Sequence, residues 1–560
     1  MKKVYLLFFL ITFFSVSVSA QFTKYIIRFK DKAGTPFSID NPSAYLSAKA
    51  IDRRTRQHIA IDETDLPVTP RYIDSVRLAG AVTILDESKW LNQVCIATTD
   101  SVALVKINNM SFVIASQPLM KPVSIRSTTN NKFNEQLNSV TTLQGTNNVQ
   151  DFYNYGNSYA QIHIHEGEYL HDKGFHGEGM SIAILDAGFY HYLSLPAFDS
   201  VRNNNQVKET YDYVANELSV DEDYFHGMMC FSIMASNIPG QLVGTSPKAD
   251  YYLYRTEDAY TESPVEEQYW AAAAERADSI GIDVISTSLG YDEFDNPVFN
   301  HTYADMNGNT TIAARAADFA AKKGIIVVIA AGNEGTSAWH FITTPADADS
   351  VVAVGAVNTS GVIGSFSSYG PSSDGRVKPD VASVGVGTAL SSTTGTIITG
   401  NGTSFATPNM AGLITCLWQA FPEFTNMEVI QAVKKSSSIY NAPDNRIGYG
   451  IPNFRIAYDD LNQQRALRNI NTILGDDWIK VFPNPFKNNF NVAIKPQHTS
   501  NGVFKLYDAS GKLYFIKQLP LQAGQDQLIP FNNLQPLQRG IYTLKFSDGQ
   551  SKESIKLVVQ

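Results

Sequence analysis

Asn401-Gly402-Thr403-Ser404-Phe405-Ala406-Thr407-Pro408 puts a serine directly after a Gly-Thr pair, at the head of an apolar run of helical character that ends near Ala420. A helix start offers unpaired backbone N–H groups and the positive end of the helix dipole. A serine there stands where an alkoxide and a developing oxyanion are both stabilised. The small neighbours leave room for another backbone. Pro408 is expected in the first turn, where its missing N–H costs nothing. Taken alone, the stretch reads equally well as an ordinary helix cap.

Three other stretches give the serine a context. A nucleophilic hydroxyl needs a base, and the base needs an orienting group. Ser181-Ile-Ala-Ile-Leu-Asp186-Ala-Gly188 reads as a buried parallel strand ending in a carboxylate and a Gly turn. Strand ends are where open α/β sheets build their sites. His226-Gly227 follows an acidic loop and opens a second apolar helical run, 228–235. Gly324-Ile-Ile-Val-Val-Ile-Ala-Ala-Gly332-Asn333-Glu-Gly335 is a wholly apolar strand that ends by presenting a side-chain amide, a suitable neutral donor to an oxyanion. Each has a plainer reading by itself: a capping Asp, a surface or core His, a turn Asn. The order Asp, His, Ser over wide separations is one of the few known triad orders.

The four segments together, Asp-x-Gly, His-Gly, Ala-Ala-Gly-Asn and Gly-Thr-Ser-x-Ala-x-Pro, resemble the subtilisin-like serine proteases, or subtilases, over roughly residues 160–460. The resemblance implies a doubly wound, mostly parallel α/β sheet. It implies catalysis by Asp186, His226 and Ser404, with Asn333 as oxyanion donor. Ser288, Leu289 and Gly290 resemble the strand that pairs with an extended substrate. Ala330, Ala331 and Gly332 resemble the facing wall of the pocket for the residue before the scissile bond, the P1 residue. Lys378-Pro-Asp-Val381 and Gly448-Tyr-Gly-Ile-Pro452 resemble scaffold around the serine helix.

The chain departs from common family patterns in places. His226 is followed by Gly-Met-Met-Cys, Asp186 by Ala-Gly, and Ser286 stands where relatives often carry Asn. None of these removes a triad member. Cys230 lies one helical turn after His226, so its thiol falls on the same helix face. A small buried apolar residue is the plain reading. The resemblance points to the thiol-containing branch, in which a mercurial at such a cysteine inactivates.

The 560 residues carry a net charge of −10 and no basic block, which argues against a nucleic-acid partner. Three cysteines cannot form a disulfide framework, and the Cys230 and Cys416 pair is expected to be reduced. Lys2-Lys3, an apolar run over 4–14 and Val18-Ser-Ala20 form a signal peptide over 1–20; the apolar run is too short to span a bilayer.

Between signal and protease, the pattern over 21–125 reads strand, helix, strand, strand, helix, strand, with an inserted helix near 44–56. That is a ferredoxin-like α+β unit. Subtilase propeptides look like this, and such a domain can template folding and plug the cleft; an attached accessory domain is the alternative. The Ser-, Thr-, Asn- and Gln-rich stretch 126–155 reads as a linker. Cutting between about residues 117 and 150 would release the inhibitor. The catalytic domain is expected over 156–462. Over 475–560, short strands at 479–482, 490–494, 502–507, 512–518, 542–546 and 554–559 with hairpin turns suggest a small β-sandwich. Pro483-Asn-Pro485, Arg539-Gly-Ile-Tyr542 and the terminal Lys556-Leu-Val-Val-Gln560 resemble the sorting domain of the type IX secretion system of Bacteroidota. A carbohydrate-binding or adhesive sandwich is the alternative, weakened by the absence of clustered tryptophans.

The implied protein is a secreted or cell-surface serine endopeptidase, a monomer made as an inhibited zymogen. Its partners are polypeptide substrates, its own propeptide and the type IX machinery, with no stable membrane span. Digestive and narrow processing roles both fit. A non-catalytic adhesin would require a damaged triad. Ala331 and Gly332 permit a roomy P1 pocket, as in relatives that take large apolar residues. Glu257-Asp258…Glu262 reads as a solvated loop, or as a flank of the S2–S4 side favouring basic residues. No cofactor is expected. Asp221, Glu222 and Asp223 lack recognisable calcium-ligand spacing, so structural calcium is possible but not assignable.

Overall fold

The computed structural model describes residues 22–120, 133, 135–140, 151–532, 534 and 537–560. The signal peptide and much of 121–150 lie outside the described residues. Two compact units divide the chain, residues 1–457 and 458–560.

In the first unit, the N-terminal domain runs β1 (Lys24–Phe29), α1 (Ala48–Arg56), α2 (Pro70–Arg77), β2 (Thr83–Ser88), β3 (Gln93–Ala97), α3 (Ser101–Asn108) and β4 (Val113–Met120). Its antiparallel sheet has the order β2-β3-β1-β4. Local chemistry sets the helix starts. Ser47 and Asp100 accept backbone N–H bonds at the heads of α1 and α3, and Pro70 opens α2. Alternation along the strands gives the sheet two apolar faces. Ile27, Phe29, Val94 and Ile96 pack with Val76, Ala103 and Ile107 beneath α2 and α3. Ile26, Cys95 and Leu119 pack on the other side against Val265 and Tyr269, which belong to the large domain.

The stretch 126–155, expected as a linker, is partly built into the fold. Gln136–Ser139 forms β5, and Tyr153 and Tyr155 are buried. The strand assignment escapes local reading because β5 has no apolar pattern of its own.

The large domain is a seven-stranded parallel sheet made of β6 (Ser181–Asp186), β7 (Val207–Asp212), β8 (Asp250–Arg255), β9 (Val284–Thr287), β10 (Ile326–Ala330), β11 (Val352–Val357) and β12 (Val381–Val384). The order is β12-β11-β10-β9-β6-β8-β7. From β6 the chain crosses to the edge at β7, comes back to lay β8 between β7 and β6, and then builds from β9 to the other side. The switch point between β6 and β9 is where such sheets open a crevice at their carboxyl ends. β6, β10 and β11 are buried throughout, as strands covered on both faces must be. Each fully buried Ile or Val of β10 contributes at most roughly 1.5–3 kcal/mol.

Helices α4 (His226–Ala235), α5 (Val265–Ile280), α6 (Ile312–Lys322) and α7 (Thr403–Ala420) flank the sheet. Alanines of α5 and α6 pack closely on one face around Trp270. α4 and α7 meet each other on the opposite face. Just before α7, the antiparallel pair β13 (Val386–Ser391) and β14 (Ile397–Asn401) carries β5 at its edge, with Asn401 opposite Gln136 and Ile398 opposite Ser139.

The C-terminal unit holds two antiparallel sheets. One joins β15 (Ile479–Phe482), β16 (Phe490–Ile494) and β19 (Gln527–Phe531). The other runs β18 (Leu513–Leu521), β17 (Ser500–Asp508), β20 (Gly540–Ser547) and β21 (Lys552–Val559). Phe490, Val492, Phe504, Leu506, Leu544 and Phe546 are among the residues of its core. β19 is not among the strands expected from the sequence; it carries Pro530 at the edge of its sheet, where proline is tolerated. No helix among the described residues is long and apolar enough to cross a membrane.

Candidate active site

Asp186 is the last residue of β6, and His226 is the first residue of α4; both are buried. His226 Nδ1–H donates to Asp186 Oδ1 at 2.7 Å. The glycine after the histidine permits this approach. A Cβ on Gly227 would lie 2.6 Å from the Gly188 carbonyl oxygen and 2.7 Å from Asp186 Cβ. Ser404 is the second residue of α7 and is also buried.

Pro408 was expected in the first turn, but α7 begins at Thr403 and Pro408 is its sixth residue. Its missing N–H frees the carbonyl of Ser404, four residues back. That oxygen instead accepts from Ser288 Oγ at 2.7 Å and from the Cys230 thiol at 3.4 Å.

Asn333 is exposed just beyond β10. Its Oδ1 accepts from Thr403 N at 2.9 Å and Thr403 Oγ1 at 3.0 Å, which turns the amide N–H2 away from the helix. Ser288, Leu289 and Gly290 follow β9 and line one cleft with Ala330, Gly332 and Ser404. Ala331 sits behind this wall, fully buried in the core.

The cleft holds part of the chain's own N-terminal region. Glu135 Oε1 accepts from Ser404 Oγ at 3.0 Å and from His226 Nε2 at 3.2 Å. The Phe133 ring stacks on His226, with centroids 4.2 Å apart. Burial opposes a charge on His226, but the carboxylates of Asp186 and Glu135 outweigh it and raise the imidazole to about 10. Sequence reading missed both Glu135 and Phe133. Their role depends on β5 pairing with a strand some 260 residues away, which leaves no local signal.

The stretch 257–262 corrects an expectation. It is not a solvated loop: Glu257 is buried, receives the Tyr291 hydroxyl, and lines the cleft beside Ser404 together with Glu262. Among the described residues, two groups bring possible metal-ligand atoms within 4.8 Å of one another: Asp186, His226 and Cys230, and Glu257, Glu262 and Glu266. All three cysteines are buried and free.

Comparison with known proteins accords with this geometry. Residues 177–450 match the subtilase family. Subtilisin amylosacchariticus of Bacillus subtilis subsp. amylosacchariticus is 31% identical over 293 residues, 51% of this chain and 68% of that protein. The chain belongs to the subtilase family. Subtilisin of Bacillus pumilus is 30% identical over 51% of this chain and 94% of its own length. A thermostable alkaline protease of Halalkalibacterium halodurans is 26% identical over 49% of this chain and 66% of its own length. Residues 24–138 match a peptidase S8 propeptide domain of Bacteroidota, and 480–560 match a secretion system C-terminal sorting domain. This subtilase is a serine-type endopeptidase that carries a propeptide and is exported through type IX secretion to the cell surface or beyond it.

Proposed function

We propose that the subtilase cleaves peptides through Asp186, His226 and Ser404, and is made as a zymogen whose own tail closes the site. The observation that carries this reading is the bridge of Glu135 Oε1 between Ser404 Oγ and His226 Nε2. In the released enzyme, His226 takes the proton of Ser404 as its oxygen attacks the scissile carbonyl. Asp186 holds the imidazole tautomer and stabilises the imidazolium. Asn333 N–H2 and the Ser404 backbone N–H receive the oxyanion. Water then hydrolyses the acyl-enzyme. The substrate lies extended against Ser288–Gly290 like an added strand.

In the closed form none of this can start. The Ser404 hydrogen points to Glu135, and His226 is held protonated at neutral pH, so it cannot accept a proton. β5 continues past the site as a strand on β14. The division that goes with this reading is a propeptide domain over 21–125, a connecting stretch over 126–155, a catalytic domain over 156–462 and a sorting domain over 475–560.

Mass spectrometry of the secreted protein beside Ser404→Ala tests the proposal. The wild type should begin between about residues 117 and 150, and the mutant should keep its propeptide. Normal processing of the mutant would assign maturation to another protease. A wild type that keeps the domain would remove the zymogen reading.

A further inference from the structure

The cleft beside Ser404 has an acidic lining. Between the wall of Leu289 and Gly290 and the wall of Ala330 and Gly332, it is also lined by Glu257, Glu262, Asp292 and Glu334. Among the described residues that line it, none is lysine or arginine. The cavity of about 100 Å3 has room for several waters or one side-chain head group.

The carboxylates feel one another. Burial, and then the neighbouring charge of Glu334, push Asp292 up to about 7. Oxygens of Glu257, Glu262 and Glu266 lie within 4.8 Å of one another. A second, uncharged group points to the same ligand. Thr343 is 3% exposed, and its hydroxyl has no hydrogen-bond partner among the described residues. It faces the two glycines of the cleft: a Cβ on Gly290 would meet Thr343 Oγ1 at 2.0 Å, and one on Gly332 at 3.0 Å. Only glycines leave that hydroxyl available to an occupant.

We propose that this pocket selects a cationic P1 side chain, arginine or lysine, with Glu257 and Asp292 as specificity residues. The inference rests on the proposed protease mechanism and deepens it. Leu289 and Ala330 would receive the aliphatic stem, which long basic side chains bury readily. The head group would meet several carboxylates and the Thr343 hydroxyl. A guanidinium has five donors to distribute among them. An apolar P1 residue would offer no hydrogen bonds to these carboxylates and would desolvate them, which is costly. The pocket's acidity thus lies at P1 itself and not on the S2–S4 side.

The test uses the secreted, processed protein and matched peptide substrates that differ only at P1: Arg, Lys, citrulline and Phe. Citrulline keeps the shape of arginine without its charge. A fluorophosphonate probe first titrates Ser404, so failure of the protease reading shows as absent labelling. With labelling present, kcat/KM for Arg and Lys should exceed that for citrulline and Phe by roughly tenfold or more. In Asp292→Asn and, separately, Glu257→Gln, the Arg-to-citrulline ratio should fall several-fold toward one. Glu257 is buried against Tyr291, so Asp292→Asn keeps the test open where Glu257→Gln does not fold. Equal rates for Arg and citrulline, or a preference for Phe, would overturn the inference. So would saturable calcium binding that is lost in Glu257→Gln without any P1 charge preference.

Discussion

The Cys230 thiol donates to the backbone carbonyl of Ser404 at 3.4 Å. Pro408 makes this contact available, because its missing N–H leaves that carbonyl without a helical partner. The helix that begins with the histidine and the helix that carries the serine are therefore tied at the serine's own peptide group. Ser288, the first of the three residues proposed to pair with substrate, shares the same oxygen at 2.7 Å.

A group inserted at Cys230 should disturb this tie. Burial, and then the charge of Asp186, raise the thiol well above its usual range, so alkylation at neutral pH should be slow. Mercurials bind thiols strongly as soft metals, and one mercurial per Cys230 should abolish peptide cleavage. Cys230→Ala should resist the reagent. Full activity of the wild type with Cys230 stoichiometrically labelled removes the prediction.

Asn333 is held by Thr403 through its oxygen, which leaves the N–H2 for an oxyanion. Asn333→Ala should lower kcat by the loss carried over from subtilisin, on the order of 10²–10³. KM should change little, because the donor acts on a charge that develops only in the transition state. An unchanged kcat would take Asn333 out of the role.

Closure of the site should depend on pH through two groups. The raised value of His226 means that its contribution is full below the ordinary imidazole value and is lost as pH rises toward about 10. For Glu135, burial works against the charge, but His226 outweighs it and lowers the carboxyl, so its contribution is lost as pH falls below the usual carboxylate range. The precursor should thus be most silent in mildly acid solution, between the usual carboxylate and ordinary imidazole values, and leak activity progressively toward either extreme. Glu135→Gln should raise the residual activity of a Ser404-competent precursor at pH 7 and flatten the profile. Residual activity of the variant that matches wild type across pH would show that Glu135 is only a bystander.

Much of this was legible in the chain. Asp186, His226, Asn333 and Ser404 stand at strand ends and helix starts, and β6 and β10 announce themselves as unbroken apolar runs. The N-terminal domain could be read element by element because its caps and alternation are local signals. Three features could not. Glu135 reaches the site through strand pairing between distant segments, and pairing leaves no periodicity in a four-residue strand. Glu257 looked like part of a solvated acidic loop because burial of a carboxylate depends on tertiary neighbours such as Tyr291. The place of Pro408 in α7 turned on where the helix begins, and a boundary is the least local property of a helix with glycine as its cap.

The contact between the propeptide domain and the rest of the protease is built on buried charge. Asp278 of α5 receives Arg53 at 2.6 Å, Arg54 at 2.9 Å and Lys89 at 2.9 Å, all from the propeptide domain, and both arginines are buried. Burial opposes ionisation of Asp278, but Lys89, Arg54 and Arg53 prevail and hold it down to about 2. Removing one partner of such a cluster leaves uncompensated buried cations, at a cost of about 3–5 kcal/mol. Asp278→Ala should therefore weaken binding of the cleaved propeptide by roughly two to three and a half powers of ten at 1.4 kcal/mol per tenfold, measured as inhibition of the processed enzyme. Cleavage by the processed enzyme alone should be unaffected, since Asp278 then faces solvent at the far end of α5 from the cleft residues. Because the Asp278 carboxyl is depressed, its contribution is present above the ordinary carboxylate value and lost as pH falls toward 2. The same inhibition measured in Asp278→Ala should lose that part of its acid sensitivity; equal affinity of the two proteins for the propeptide would place the holding energy in the apolar contacts of Ile26, Leu119 and Tyr269 instead.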